Sequence, residues 1–185
     1  MVLFIALLLA SACSILQEFD YDPVEFTVVG ETAVMNGVID GEIEDTLKDL
    51  LNENPQITTI VMQNVDGSVD DEANLIAAHY VRNQGLNTHI PSSGLVASGG
   101  TDFFLAGVKR TAGSNVKIGV HSWSGGSIEA AELPENHIEH KKYLDYYRSM
   151  EIPSEFYWFT LKAAPSHDIH WMNQSEIKLY KIVTQ

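Results

Sequence analysis

Gly94-Leu-Val-Ala-Ser98-Gly99-Gly-Thr-Asp102-Phe-Phe-Leu-Ala-Gly107 sets a serine among small residues where an apolar piece gives way to a helix. A nucleophile needs that setting. Small neighbours let a carbonyl group approach, and a helix start offers free main-chain N–H groups to a developing oxyanion. The same setting suits a helix cap, because serine is a favoured N-cap residue. Read alone, the segment leaves both roles open.

Downstream, Lys117-Ile-Gly-Val-His121-Ser-Trp123 ends an apolar strand on a histidine. His121 is either a satisfied core residue or a general base able to take the serine proton. Upstream, Ile60-Val-Met-Gln-Asn64-Val-Asp66-Gly67-Ser-Val69 runs a buried strand into a Gly-containing turn and then a helix. Such a turn either presents N–H groups to a carbonyl oxygen or is an ordinary strand–helix connection.

Around these pieces, strand-like and helix-like stretches alternate. Strands are expected at Phe26–Val29, Thr32–Ile39, Ile57–Met62, Thr88–Ile90, Val116–Val120 and Lys181–Thr184. Helices are expected from Ile43 to Asn54, over Asp70–Asn83 with Gly85 closing it, and over Ala97–Gly107, Glu135–Met150, Ser154–Ala163 and Gln174–Tyr180. This alternation predicts an α/β fold with a mostly parallel sheet. The length suits one domain over 21–185, and there is no internal repeat.

The 185 residues carry 25 acidic and 11 basic side chains, a formal net charge of -14. That balance argues against a nucleic-acid partner, which needs a basic footprint, and against electrostatic binding to anionic lipid. No window reaches the roughly 20 apolar residues of a membrane-spanning helix. There is one cysteine, so no intrachain disulfide forms. No motif for a cofactor or metal stands out: His137 and His140 lie one helical turn apart without a third ligand at a recognisable spacing.

Residues 1–20 read as a leader and linker rather than as part of the fold. A short apolar run, Val2 to Ala10, meets Ala10-Ser-Ala12 and then Cys13. This resembles a secretory signal with a bacterial lipoprotein cleavage box, although no Lys or Arg precedes the run. Cleavage would leave Cys13 first, with its thiol as the lipid attachment point. The expectation is an exported protein of the periplasm or outer cell-envelope face, touching membrane only through that anchor.

In order and spacing, four motifs from Thr32 onward resemble the Clp protease proteolytic subunit and its crotonase-fold relatives. They are Gly37-Val-Ile-Asp40, the Asn64–Val69 turn in altered form, Gly94 to Gly107, and Ile118-Gly-Val-His121. The resemblance implies a ClpP/crotonase-like spiral of β-β-α units and a serine hydrolase, most readily a peptidase. Ser98 would be the nucleophile, His121 the base, and main-chain N–H groups of Gly67, Gly99 and Asp66 the oxyanion hole. The family's third member, an Asp, falls in a region reading Ser166-His-Asp168-Ile-His-Trp-Met-Asn-Gln-Ser-Glu176, where Asp168 is the acidic residue available. The resemblance also implies a peptide or protein substrate and a homo-oligomer. Two departures stand out. The turn lacks the family's Pro and one Gly, with Asp66 in a small-residue position, and Asp102 adds a charge inside the nucleophile helix. Two other readings stay open: a Ser–Lys dyad using Lys141 or Lys142, and a non-catalytic binding or scaffold protein on the same fold.

Overall fold

The computed structural model describes residues 21–126 and 128–184. The leader-like segment and Cys13 lie outside the described residues. Strands β1 (Glu25–Val29) and β2 (Thr32–Asn36) form an antiparallel hairpin. Its two-residue turn starts on Gly30 at φ +62, a conformation open to glycine at little cost. Helix α1 (Ile43–Glu53) buries Ile43 and Leu47 and carries the chain to β3 (Thr59–Val65), parallel to β2. Helix α2 (Asp71–Asn83) follows, capped by the Asp70 carboxylate, which accepts the Ala73 N–H at 3.0 Å.

The next strands split the sheet. β4 (Asn87–Ile90) pairs with the first half of β3, and β5 (Leu95–Ala97) pairs with its end through Asn64↔Leu95 and Val65↔Val96. Helix α3 (Gly99–Leu105) leads to β6 (Arg110–Ala112) beside β4, and β7 (Lys117–Val120) lies beside β5. All of these pairings are parallel, so β3 is a fork from which two branches diverge. The short hairpin β8 (Ser124–Gly125) and β9 (Ile128–Glu129) follows. Helices α4 (His140–Ser149) and α5 (Ser154–Ala163) come next. β10 (His170–Trp171) closes antiparallel on β7, and α6 (Gln174–Leu179) follows. Among the described residues no helix is long and apolar enough to cross a membrane.

The α/β alternation and mostly parallel sheet are as the sequence pattern predicts. Four differences have physical causes. Strand β3 starts at Thr59 and runs to Val65, because the pairing at its far end comes from β5, a strand too short to read. The expected Glu135–Met150 helix starts only at His140. Between Pro134 and His140 the one large apolar side chain, Ile138, is 69% exposed, so no buried face supports a helix there. Lys181–Thr184 is no strand; its N–H bond from Thr184 to the Arg110 carbonyl (2.9 Å) is a tether rather than a ladder. β6, β8, β9 and β10, each of two or three residues, carry too short a pattern to be read.

That tether centres on Arg110, which is buried. Its guanidinium donates to the carbonyls of Ile182 (2.9 Å), Gly107 and Lys181 (both 3.2 Å). Burial pulls its pKa down to about 10, so it stays charged at neutral pH. Arg110→Ala strands these carbonyls and is expected to cost roughly 3 kcal/mol or more. The urea-unfolding midpoint reads that cost; a loss below about 1 kcal/mol would contradict the clamp.

Candidate active site

The ends of β3, β5 and β7 meet at one place because the three strands run parallel side by side. In parallel α/β sheets, ligands gather outside the carboxyl ends of strands. Ser98 follows β5, His121 follows β7 and Gly67 follows β3. The Ser98 N–H donates to the Gly119 carbonyl at 3.0 Å, and the Thr101 hydroxyl donates to the same carbonyl at 2.8 Å. These bonds lock the strand-to-helix turn against β7.

Ser98 sits at φ 53, ψ -130. A non-glycine residue there is strained, and such strain collects at sharp strand–helix turns that expose a side chain. Ser98 is the N-cap of α3, but its side chain makes no capping bond. Its Oγ lies 2.7 Å from His121 Nε2 instead. His121 Nδ1 is 2.8 Å from the Ser122 carbonyl. A carbonyl only accepts, so Nδ1 carries the proton and Nε2 offers its lone pair to the Ser98 hydroxyl. Ser122 is itself pinned, its N–H donating to the Ala164 carbonyl at 2.8 Å.

Gly67 and Gly99 are buried, and their N–H groups make no hydrogen bond among the described residues. Buried unpaired amides are rare. A side chain at residue 67 would begin 3.8 Å from Ser98 Oγ; one at residue 99 would begin 2.2 Å from Ser68 Oγ. Asn74 fixes the next peptide by donating to the Gly99 carbonyl at 2.9 Å. Asp66 is exposed and borders a separate groove with Tyr21, Asp22 and Asn36.

The structure does not bring Asp168 to His121. Its carboxylate accepts the N–H of its own neighbour Ile169 at 2.8 Å, and the acceptor on Nδ1 is the Ser122 main chain. Every residue has a carbonyl, so no side-chain pattern in the sequence marks this one. Neither lysine of the alternative dyad bonds to Ser98. Lys141 pairs with Asp145, and the Lys142 ammonium lies 5.1 Å from the Tyr143 ring centre. Among the described residues, no cluster of three His, Cys, Asp or Glu side chains has metal-binding geometry.

Ser98 and His121 open onto a narrow pocket of about 40 Å³ whose other walls include Asp71, Asp102, Tyr143, Tyr147 and Tyr157. Asp71 accepts from the Ser68 hydroxyl (2.6 Å) and the Tyr143 hydroxyl (2.9 Å). Asp102 accepts from Tyr147 at 2.6 Å. The sequence marks Asp102 as an unusual charge but not its partner Tyr147, which lies 45 residues away.

The mostly parallel, forked sheet with its helices is the Clp protease/crotonase fold. No family model matches the chain, and no curated protein matches it in sequence. Solved structures do. ClpP1 from Listeria monocytogenes, a mutant form, superposes with TM-score 0.56 at 21% identity, covering 84% of this chain and 90% of that one. A membrane-bound stomatin-specific protease, solved as a lysine-to-alanine mutant with a substrate peptide, gives TM-score 0.52 at 13% identity, over 79% and 71% of the two chains. An enoyl-CoA hydratase from Polaromonas sp. gives 0.52 at 11%, over 88% and 70%. The shared feature is the fold, used by proteases and a hydratase alike.

Burial pushes the Asp102 carboxyl up to about 7; the Tyr147 hydrogen bond opposes the shift and the Asp71 charge adds to it. The folded protein therefore holds a proton there at pH values where the unfolded chain, near 3.8, has released it. Stability from this site is full below about pH 4 and is lost as pH rises to about 7. Asp102→Asn removes the titration, so its melting temperature relative to wild type is expected to climb between those limits and level off above. A difference flat across pH would contradict this.

Proposed function

We propose that this protein is a serine hydrolase acting on peptides, with Ser98 as nucleophile and His121 as general base. The observation that carries the reading is the 2.7 Å contact between Ser98 Oγ and a His121 Nε2 whose lone pair is free to accept. Ser98 Oγ attacks the carbonyl carbon while its proton passes to Nε2. The N–H groups of Gly67 and Gly99 take the oxyanion, and Nε2 returns the proton to the leaving amine. Water then repeats the sequence to release the acyl group. The Ser122 carbonyl positions the ring in the role the family resemblance gave to Asp168.

Two sequence-based expectations belong to the same proposal. One is export with lipid attachment at Cys13. The other is self-association through the region expected as the long helix Glu135–Met150, which holds α4 and the exposed Ile138.

A binding-module reading draws on one observation: the acceptor on His121 is a neutral carbonyl, which stabilises an imidazolium less than a carboxylate does. Intact-mass spectrometry after exposure to a fluorophosphonate separates the two. The hydrolase reading expects one adduct on wild type and none on Ser98→Ala. It expects labelling slowed about a hundredfold or more by His121→Ala. Labelling within about twofold of wild type is expected for Asp168→Asn, an exposed surface substitution. An unlabelled wild-type protein that is folded would make the binding module the better account.

A further inference from the structure

We infer that Asn74 is a positioning residue for the reaction: it ties the start of α3 to α2 so that the Gly67 and Gly99 amides face one oxyanion. This rests on the hydrolase reading above and adds the side chain that sets where its two amides stand.

The two amides belong to different elements. Gly67 precedes α2, and its turn is fixed to the segment after β2. The Ile39 N–H donates to the Gly67 carbonyl at 2.9 Å, and the Val69 N–H donates to the Ile39 carbonyl at 2.8 Å. Gly99 opens α3, whose start is fixed to β7 through Ser98 and Thr101. Two donors stabilise one oxyanion only if they converge, and small displacements are costly. Their convergence therefore depends on how α2 sits against α3. Among the described residues, two side-chain hydrogen bonds join these helices. Asn74 Nδ2 donates to the Gly99 carbonyl (2.9 Å) at the reactive end, and Arg82 donates to the Leu105 carbonyl (3.2 Å) at the far end.

Asn74 is a costly residue for its place. It is 1% exposed and shares the buried face of α2 with Ala77, Ala78 and Val81 at helical spacing. Its Oδ1 is buried and accepts no hydrogen bond among the described residues. An orphaned acceptor carries a desolvation penalty that an apolar side chain of similar size avoids. What the apolar side chain lacks is a donor aimed at the Gly99 peptide. Turning the amide over would set Oδ1 against the Gly99 carbonyl, acceptor to acceptor. Residue 99 has no slack either: a side chain there would begin 2.2 Å from Ser68 Oγ and 2.9 Å from Asn74 Nδ2. The second amide's residue is thus wedged between the turn that carries the first amide and Asn74.

The test measures fluorophosphonate labelling rates and melting temperatures of wild type, Asn74→Leu, Asn74→Asp and Arg82→Met. Asn74→Leu is expected to slow labelling about tenfold or more. Its melting temperature is expected at or above that of wild type, because the orphaned acceptor is gone. Arg82→Met breaks the far tie, so it is expected to lower the melting temperature with labelling within about twofold of wild type. Asn74→Asp offers the Gly99 carbonyl a donor only when protonated, so its rate relative to wild type is expected to rise as the pH is lowered. Labelling of Asn74→Leu within about twofold of wild type would overturn the positioning role and leave the hydrolase reading standing. Equal slowing by Arg82→Met would assign the effect to helix packing and overturn it too. Should Asn74→Leu fail to fold, by circular dichroism, a relative rate for Asn74→Asp that stays flat or falls with decreasing pH would overturn it. A folded wild type that does not label would overturn the hydrolase reading and the positioning role with it.

Discussion

The register of β5 against β7 is the constraint on which the rest depends. Ala97 lies opposite Gly119, and the Ser98 N–H closes on the Gly119 carbonyl. A slip of one residue would turn alternate side chains to the opposite face and part Ser98 from His121. Glycines make this register possible at two crowded points. A side chain at residue 119 would begin 2.7 Å from Ile169 Cγ2 and 2.8 Å from the Trp171 ring, so β10 could not pair with β7. One at residue 100 would begin 2.2 Å from the Val65 carbonyl, which would push α3 off β3. The fork in the sheet, the strained serine and the two unpaired amides all follow from that packing.

The histidine is held in an unusual way, its Nδ1 facing a main-chain carbonyl rather than a carboxylate. A main-chain carbonyl fixes the Nδ1–H tautomer as well as a carboxylate would, since either one only accepts. What it lacks is the full negative charge that a carboxylate would set against an imidazolium. Two acidic side chains do lie in the wall of the same pocket, but each is held by tyrosine or serine hydroxyls rather than by His121. The ring is thus positioned by the backbone, and neither acidic side chain bonds to it.

The parts of this site legible in the sequence are those written in contiguous residues. Ser98 sits in a run of small residues and His121 at the end of an apolar strand, and the α/β alternation around them is periodic enough to read. Asp168 is marked only by its position along the chain relative to the family pattern, and the Ser122 carbonyl that stands on the ring has no residue type to betray it. The pocket was illegible for a different reason. Asp71 meets Tyr143 across 72 residues, and only the docking of α4 against α2 brings them together. The expected helix from Glu135 failed because its polar periodicity has no core to face. Short strands such as β5 exist only as partners of longer ones.

The central claim is that one point in space is shared by Ser98 Oγ, the His121 ring and the amides of Gly67 and Gly99. A crystal structure of the protein after phosphonylation tests it most directly. The account predicts phosphorus bonded to Ser98 Oγ, with a phosphoryl oxygen within hydrogen-bonding distance of both amides. Phosphorus on another residue, or a phosphoryl oxygen turned away from Gly67 and Gly99 toward solvent, would contradict it.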